Sequence, residues 1–337
     1  MNSVYNRPLR VAVIGCGAIS GNHISAILAA KQTVCALCDV DLSHAKSAAE
    51  RFELGDVPLY TDYRELLEKE APDTIHICTP HYLHAEMSVA ALKKNIHVLC
   101  EKPLAISMEQ LAAVRAAAKE SQAQIGVCLQ NRYEKNILRL YEFAQQGVSA
   151  AGSFVLWKRD KSYYDSGSWR GTWEQEGGGV MINQALHTLD MLQWMCGMPA
   201  FVTSHISNDH LKGEIEVEDT ATALFETADG TRFNLFATTA SGADFPIQHW
   251  LKLKNGDLVT GGNFTVTLNN QTLPPPKREE GIGKTEWGNG HKTLIADFYD
   301  CLHTDRPFPI NAEEGGKVVQ LILGMYTSNG ERIAVPE

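Results

Sequence analysis

A chain of 337 residues has room for two domains of about 150 residues each. With 44% apolar and 21% charged residues, and 27 Gly and 13 Pro, it is neither disordered nor collagenous. Thirty Lys and Arg against forty Asp and Glu leave a charge of −10. That argues against nucleic acid or an anionic membrane surface as partner, since both demand concentrated positive charge.

The opening decapeptide MNSVYNRPLR is polar and leads into a Gly-punctuated strand rather than a signal h-region. No run approaches the roughly 20 apolar residues of a bilayer span. Over the first 130 residues, short runs rich in Val, Ile, Leu and Cys fall at 9–14, 33–38, 74–78, 96–100 and 124–129. Between them, segments with helical spacing fall at 23–30, 42–52, 63–69, 85–93 and 108–121. Strand–helix alternation of this kind predicts a parallel sheet with helices on both faces, and the continuous apolar strands fit burial on both sides. The eight cysteines sit mostly inside such runs and read as small buried hydrophobes. Cys35 and Cys38 form C-x-x-C within a strand-like run, with no second pair nearby, so no metal centre and a cytoplasmic setting are expected.

From about Gly152 the pattern changes. Runs at 216–227, 231–239, 250–254, 257–259 and 264–268 read as strands, with Asp229-Gly230 and Asn255-Gly256 as hairpin turns. A polar Gly/Pro-rich loop is expected over 274–290, then helices near 293–302 and 313–326. The prediction is an α/β chain: a doubly wound parallel-sheet domain over 1–130, then an α+β domain over 131–337 with an open, mainly antiparallel sheet.

The run Leu9 to Ile14 passes directly into Gly15-Cys16-Gly17-Ala18-Ile19-Ser20, a G-x-G-x-x-S turn between strand and helix. Gly15 permits the tight turn, Gly17 lets the backbone approach a pyrophosphate, and the helix N-terminus presents free N–H groups to it. Asp39 closes the second strand, where a carboxylate accepts from both ribose hydroxyls and repels a 2′-phosphate. No Arg adjoins it, so NAD is expected in preference to NADP.

Ligands in such sheets bind beyond the carboxyl ends of the strands. Two ends here are chemically unusual: Cys78-Thr79-Pro80-His81-Tyr82-Leu83-His84 and Cys100-Glu101-Lys102-Pro103. A Lys102 projecting into the crevice beside a cationic nicotinamide would have a lowered pKa and could share a substrate proton; otherwise the step is ordinary loop. Downstream, Gly177-Gly178-Gly179 precedes an apolar helix on which Asn183, His187, Asp190 and Trp194 form one stripe at helical spacing. Such a stripe is either a satisfied core network or the lining of a polar pocket. Tyr163-Tyr164-Asp165 with Trp169-Arg170, and Trp287-Gly288-Asn289-Gly290-His291, are aromatic–polar loops that either stack on a sugar or pack the domain interface. Gln130-Asn131-Arg132 is a hinge or a ligand contact.

Taken together, the Gly15–Ile19 turn, Asp39, Thr79-Pro80, Glu101-Lys102-Pro103 and the Gly triplet with His187 and Asp190 resemble the glucose–fructose oxidoreductase / inositol dehydrogenase (Gfo/Idh/MocA) family over nearly the whole chain. That resemblance implies an N-terminal Rossmann domain and a C-terminal domain whose open sheet builds homodimers or homotetramers. It implies nicotinamide-dependent oxidation or reduction of a small carbohydrate or polyol, with Lys102 as catalytic lysine and His187 as acid/base. Glu101 would fix the cofactor and Lys102, while Thr79, Pro80, His84 and Gln130 would lie near the nicotinamide. Arg132, Tyr164, Trp169, Asp190 and His291 are the candidate substrate contacts. Asn183 departs from the Asp common at its position, shifting the proton handling to His187 and Lys102. Two other functions fit the same residues: a glycosidase that oxidises, eliminates and re-reduces its substrate, and a non-enzymatic dinucleotide/sugar sensor.

Overall fold

Strand β1 (Arg10–Ile14) is buried from Val11 onward because it lies inside a six-stranded parallel sheet of order β3-β2-β1-β4-β5-β6. The other strands are β2 (Thr33–Cys38), β3 (Leu59–Tyr60), β4 (Thr74–Ile77), β5 (His97–Cys100) and β6 (Ile125–Val127). Between them run α1 (Ser20–Ala29), α2 (Leu42–Arg51), α3 (Tyr63–Glu70), α4 (His84–Leu92) and α5 (Met108–Glu120). Asp41 and Asp62 cap α2 and α3, accepting from the backbone N–H of Ser43 and Arg64. The strand order reverses on either side of β1, which places the switch point between β1 and β4.

The computed structural model describes residues 5, 7–276 and 289–337. Its second sheet has nine strands, ordered β14-β13-β12-β11-β7-β10-β9-β8-β15, and only the β7–β10 pair is parallel. In chain order come α6 (Lys135–Ala144), β7 (Val148–Leu156), α7 (Lys161–Tyr164), a π-turn (Val180–Gln184) and α8 (Leu186–Cys196). Strands β8 (Phe201–Ser207), β9 (Thr220–Glu226), β10 (Arg232–Thr238), β11 (Gln248–Leu253), β12 (Leu258–Gly261), β13 (Val266–Leu268) and β14 (Gln271–Thr272) follow. The chain ends with α9 (Gly290–Thr304), α10 (Ala312–Ser328) and β15 (Ile333–Ala334).

Both predicted hairpins are present, with Asp229-Gly230 between β9 and β10 and Asn255-Gly256 between β11 and β12. Strands β7 and β8 lie outside the expected set. Residues 148–153, VSAAGS, carry little β-branched signal, and β7 is a strand because neighbours on both sides complete its ladder. One face of this sheet packs on α6 and α8. Phe154, Leu224, Phe236 and Trp250 are each 37–41% exposed on the other.

Two compact units result: Met1–Ala105, Glu109–Tyr133 and Glu279–Gly316 form the first, and Ile106–Met108, Glu134–Arg278 and Lys317–Glu337 the second. The expected 131–337 span is therefore shared between them. Helix α9 packs on α1, burying Phe298 and Tyr299, and Phe308 lies over Gly126, so this late segment completes the first unit's core. Most of the expected 274–290 loop, Trp287 included, lies outside the described residues.

Candidate active site

In the first unit, four backbone bonds tie five neighbouring strand ends together. Gly15 donates to the Cys38 carbonyl at 2.8 Å, Cys78 to Ile14 at 2.7 Å, Glu101 to Ile77 at 2.9 Å and Cys128 to Cys100 at 2.8 Å. The sheet thereby aligns Gly15, Asp39, Thr79 and Lys102 along one carboxyl edge. Gly15 has φ +89°, and a Cβ there would stand 2.5 Å from the Cys78 carbonyl oxygen, so only glycine fits. Around a Cβ at Gly17 nothing lies within 4 Å, and Gly17 and Ala18 are exposed. The N–H groups of Gly17, Ala18 and Ile19 precede the first helical hydrogen bond of α1, and Ser20 Oγ closes the turn on the Gly17 carbonyl at 2.7 Å. An open, donor-rich turn of this kind fits a dinucleotide pyrophosphate.

Asp39 accepts from the backbone N–H of Cys16 at 2.8 Å and of Asp41 at 2.9 Å, so it braces the Gly-rich turn from the end of β2. A hollow beside the turn is lined by Gly17, Ser20, Gly21, His44, Ser47 and Arg51. Arg51, twelve residues beyond Asp39 in sequence, is thus a cation close to the turn that adjacency along the chain does not reveal.

Lys102 is half-buried at the end of β5, where the Lys102–Pro103 peptide is cis. Glu101 before it is buried, and its Oε1 accepts from His23 Nε2 at 2.9 Å and His291 Nε2 at 3.1 Å. Burial alone would raise this carboxyl, but the two imidazole hydrogen bonds outweigh it and hold it well below the usual carboxylate range. His291, a candidate substrate contact where a loop enters a helix, stands in the first turn of α9 with Nε2 against Glu101. Arg132 is likewise committed, pairing with Glu314 at 2.8 Å while almost fully buried, and Gln130 is buried in the same short turn. The ring nitrogens of His84 lie 2.7 Å from the Pro103 carbonyl and 2.8 Å from that of Thr79. His84 is therefore a buried strut joining the two unusual strand ends. Thr79 and Pro80 remain partly exposed.

In the second unit, the Gly triplet is explained by crowding. A Cβ on Gly178 would stand 1.9 Å from the Tyr326 hydroxyl, and one on Gly179 1.9 Å from the Glu218 carbonyl oxygen. Asn183 lies on the π-turn and His187 in the first turn of α8, so the predicted stripe is broken at Ala185 rather than carried by one α-helix. Asp190 is buried on α8, and Trp194 stacks on Tyr141 with ring centroids 3.7 Å apart. The Asn183 amide donates to Glu176, a fully buried carboxylate that also accepts from Gly171 N and lies 3.8 Å from Arg170. A carboxylate thus stands in contact with the amide at position 183.

Glu218 is the other residue that sequence reasoning missed. Its carboxylate accepts from Gly179 N at 2.8 Å, Met181 N at 2.9 Å and the Tyr326 hydroxyl at 3.0 Å, pinning the π-turn that carries Asn183. Burial pushes its carboxyl up to about 7. Tyr164, expected to stack on a sugar, is buried with Leu211, Ile215 and Val217 in a small core. Its neighbour Tyr163 takes the polar role, accepting from Arg170 at 2.7 Å and Gln184 at 3.1 Å. Trp169 is partly exposed, with the Arg170 guanidinium 4.6 Å from its ring centroid.

Residues 9–129 match the model for the oxidoreductase family with NAD-binding Rossmann fold, and residues 148–258 match the GFO/IDH/MocA C-terminal domain. Escherichia coli D-glucoside 3-dehydrogenase is 28% identical across 97% of each chain. The WlbA dehydrogenase of Chromobacterium violaceum, solved with NADH and UDP-GlcNAcA, is 26% identical with a TM-score of 0.81, covering 100% of this chain and 98% of that one. A levoglucosan dehydrogenase, at 20% identity and TM-score 0.87 over 98% of this chain and 100% of its own, shares the fold. The chain belongs to the GFO/IDH/MocA oxidoreductase family and carries its NAD-binding Rossmann domain.

Proposed function

We propose that this protein is an NAD-dependent dehydrogenase of a sugar, glycoside or cyclitol hydroxyl. The observation that carries the reading is the single sheet edge of the first unit, on which the open Gly15–Ile19 turn, Asp39 and Lys102 stand at the ends of β1, β2 and β5, with β4 alone between β1 and β5. The full-length similarity to a glucoside 3-dehydrogenase supports a carbohydrate substrate. NAD, when bound, supplies the hydride acceptor. The turn and the α1 N-terminus hold its pyrophosphate, and Asp39 takes the ribose hydroxyls while disfavouring a 2′-phosphate. Lys102 and His187 handle the hydroxyl proton. Asn183, tied to Glu176, orients substrate without accepting that proton.

The exposed apolar face of the second sheet supports a homodimer or homotetramer built through it. Eight free cysteines fit a reducing, cytoplasmic setting. Among the described residues, no helix is long and apolar enough to cross a membrane.

A screen of free sugars, inositols and aryl glycosides with NAD⁺, reading NADH absorbance and aglycone release together, tests the reading. NADH formation without aglycone release is expected. Catalytic aglycone release without net NADH would make the protein a redox-assisted glycosidase instead. Silence in both channels with NAD bound would favour a sensor.

A further inference from the structure

Beneath the Lys102 turn, the first unit contains a buried chain of four aromatic side chains that all lead to Glu101. The Tyr299 hydroxyl lies 2.9 Å from His76 Nε2, His76 Nδ1 lies 2.8 Å from His23 Nδ1, and His23 Nε2 lies 2.9 Å from Glu101 Oε1. His291 Nε2 reaches the same carboxylate oxygen at 3.1 Å. Three separate elements supply these groups: α1 gives His23, β4 gives His76, and α9 gives His291 and Tyr299, all converging on the end of β5. His23 and His76 are 0% exposed, and Tyr299 is 2% exposed.

The direction of every bond follows from the chemistry of the acceptor. An ionised carboxylate only accepts, so His23 Nε2 and His291 Nε2 carry protons. Burial keeps His23 and His76 neutral. A neutral His23 with its proton on Nε2 has a bare Nδ1, which must accept from His76 Nδ1–H. His76 Nε2 is then bare and accepts the Tyr299 O–H. Both ring nitrogens of His23 and of His76 are satisfied, and every donor from Tyr299 onward points toward Glu101. Because the far end is buried, the chain cannot deliver protons to solvent. Its effect is to orient dipoles on one negative charge.

We infer that Tyr299, His76, His23 and His291 are positioning residues that hold Glu101 as a carboxylate beside Lys102, and so set the ionisation of Lys102 while tying the dinucleotide-binding helix α1 to the Lys102 turn. The inference rests on Lys102 being the proton-handling group. Glu101 Oε2 also accepts from Lys102 N at 3.2 Å, so the carboxylate is fixed to the backbone of the residue it serves. Among the described residues, Glu101 also acts on His84 and on the thiols of Cys78, Cys100 and Cys128. Burial pushes all three thiols up and the His84 imidazole down, so these groups stay neutral, and Lys102 is the cation next to Glu101 in sequence. A rival occupant exists: His23, Glu101 and Cys128 place ligand atoms within 4.8 Å of one another, a set that would suit zinc.

Two measurements on the full-length protein decide the matter without any substrate. The first is long-range ¹H–¹⁵N spectra of histidine-labelled protein at about pH 6 to 8, with Tyr299→Phe used to assign His76. Neutral His23 with Nε2–H and neutral His76 with Nδ1–H are expected. An imidazolium at either position, the opposite tautomers, or one equivalent of bound zinc would overturn the chain. The second is the pH midpoint of Lys102 acetylation, read by mass spectrometry. His23→Leu, which leaves Glu101 short of a donor, should shift the midpoint by about half a pH unit or more, whereas His23→Gln, which keeps an N–H donor, should restore it. Equal midpoints in the native protein and both variants would overturn the link to Lys102. A dehydrogenase reading that failed in the substrate screen would leave both results standing.

Discussion

Replacing Glu218 with Gln should flatten the pH dependence of the second unit's stability. Burial raises this carboxyl from 4.5 to about 7, overcoming the backbone N–H groups of Met181 and Gly179 that favour the charged form. The folded chain therefore holds the proton more tightly than the unfolded chain does. The stability contributed is complete below about pH 4.5 and is lost as pH rises through 7. At about 1.4 kcal/mol per pH unit, the rise from 4.5 to about 7 is worth about 3 kcal/mol. Gln keeps an oxygen for Met181 and Tyr326 but sets an amide donor against Gly179 N–H, a cost of about 1–3 kcal/mol at every pH. Glu218→Gln should thus be the less stable protein near pH 5, and the gap should close or reverse by pH 8. Urea unfolding followed by tryptophan fluorescence reads this directly, because five of the six tryptophans, at 157, 169, 173, 194 and 250, belong to the second unit. A gap that stayed constant with pH would refute the burial argument.

Lys102→Ala should bind NAD as before and lose about 10²- to 10⁴-fold in turnover, measured by titration and by steady-state NADH formation; unchanged turnover removes Lys102 from the mechanism. Asp39→Ala should weaken NAD about 10- to 100-fold and NADP far less. Equal losses would mean that Asp39 serves only to brace Cys16. Phe236→Asp places a charge on the exposed apolar sheet face and should reduce the mass seen by light scattering to that of a single chain. Were the mass unchanged, that face would not be the interface. Gly178→Ala drives a methyl against the Tyr326 hydroxyl at φ +147° and should cost at least about 3 kcal/mol in urea unfolding, partly recovered in the double variant with Tyr326→Phe. No recovery would exclude that contact as the cause.

Much of the first unit was legible in the sequence because its signals are local. The strand at 33–38 has the predicted bounds, and the other four fall within one or two residues. Continuous apolar runs between amphipathic helices admit few arrangements other than a parallel sheet, and the Gly-rich turn with an acidic strand end names its own ligand class. In the second unit the hairpin turns were equally plain. The small-residue strand β7 was not, since its neighbours create its ladder. The polar stripe through Asn183 and His187 was placed on one helix, whereas a carboxylate from β9's approach, Glu218, imposes a π-turn on its first half.

Sequence alone thus determined the two-part α/β architecture, the dinucleotide cradle and the identity of Lys102 and His187 as candidates, because each depends on residues within a few turns of chain. Tertiary structure decided what surrounds them. Glu101 draws its partners from positions 23, 76, 291 and 299, through the imidazoles of His23 and His291 directly and through His76 and the Tyr299 hydroxyl behind His23. Arg132, Tyr164 and His291 were drawn from candidate ligand contacts into an ion pair, a core and a carboxylate. No local pattern announces such pairings: a buried polar group must find a partner, but which one it finds depends on where the fold has brought the rest of the chain.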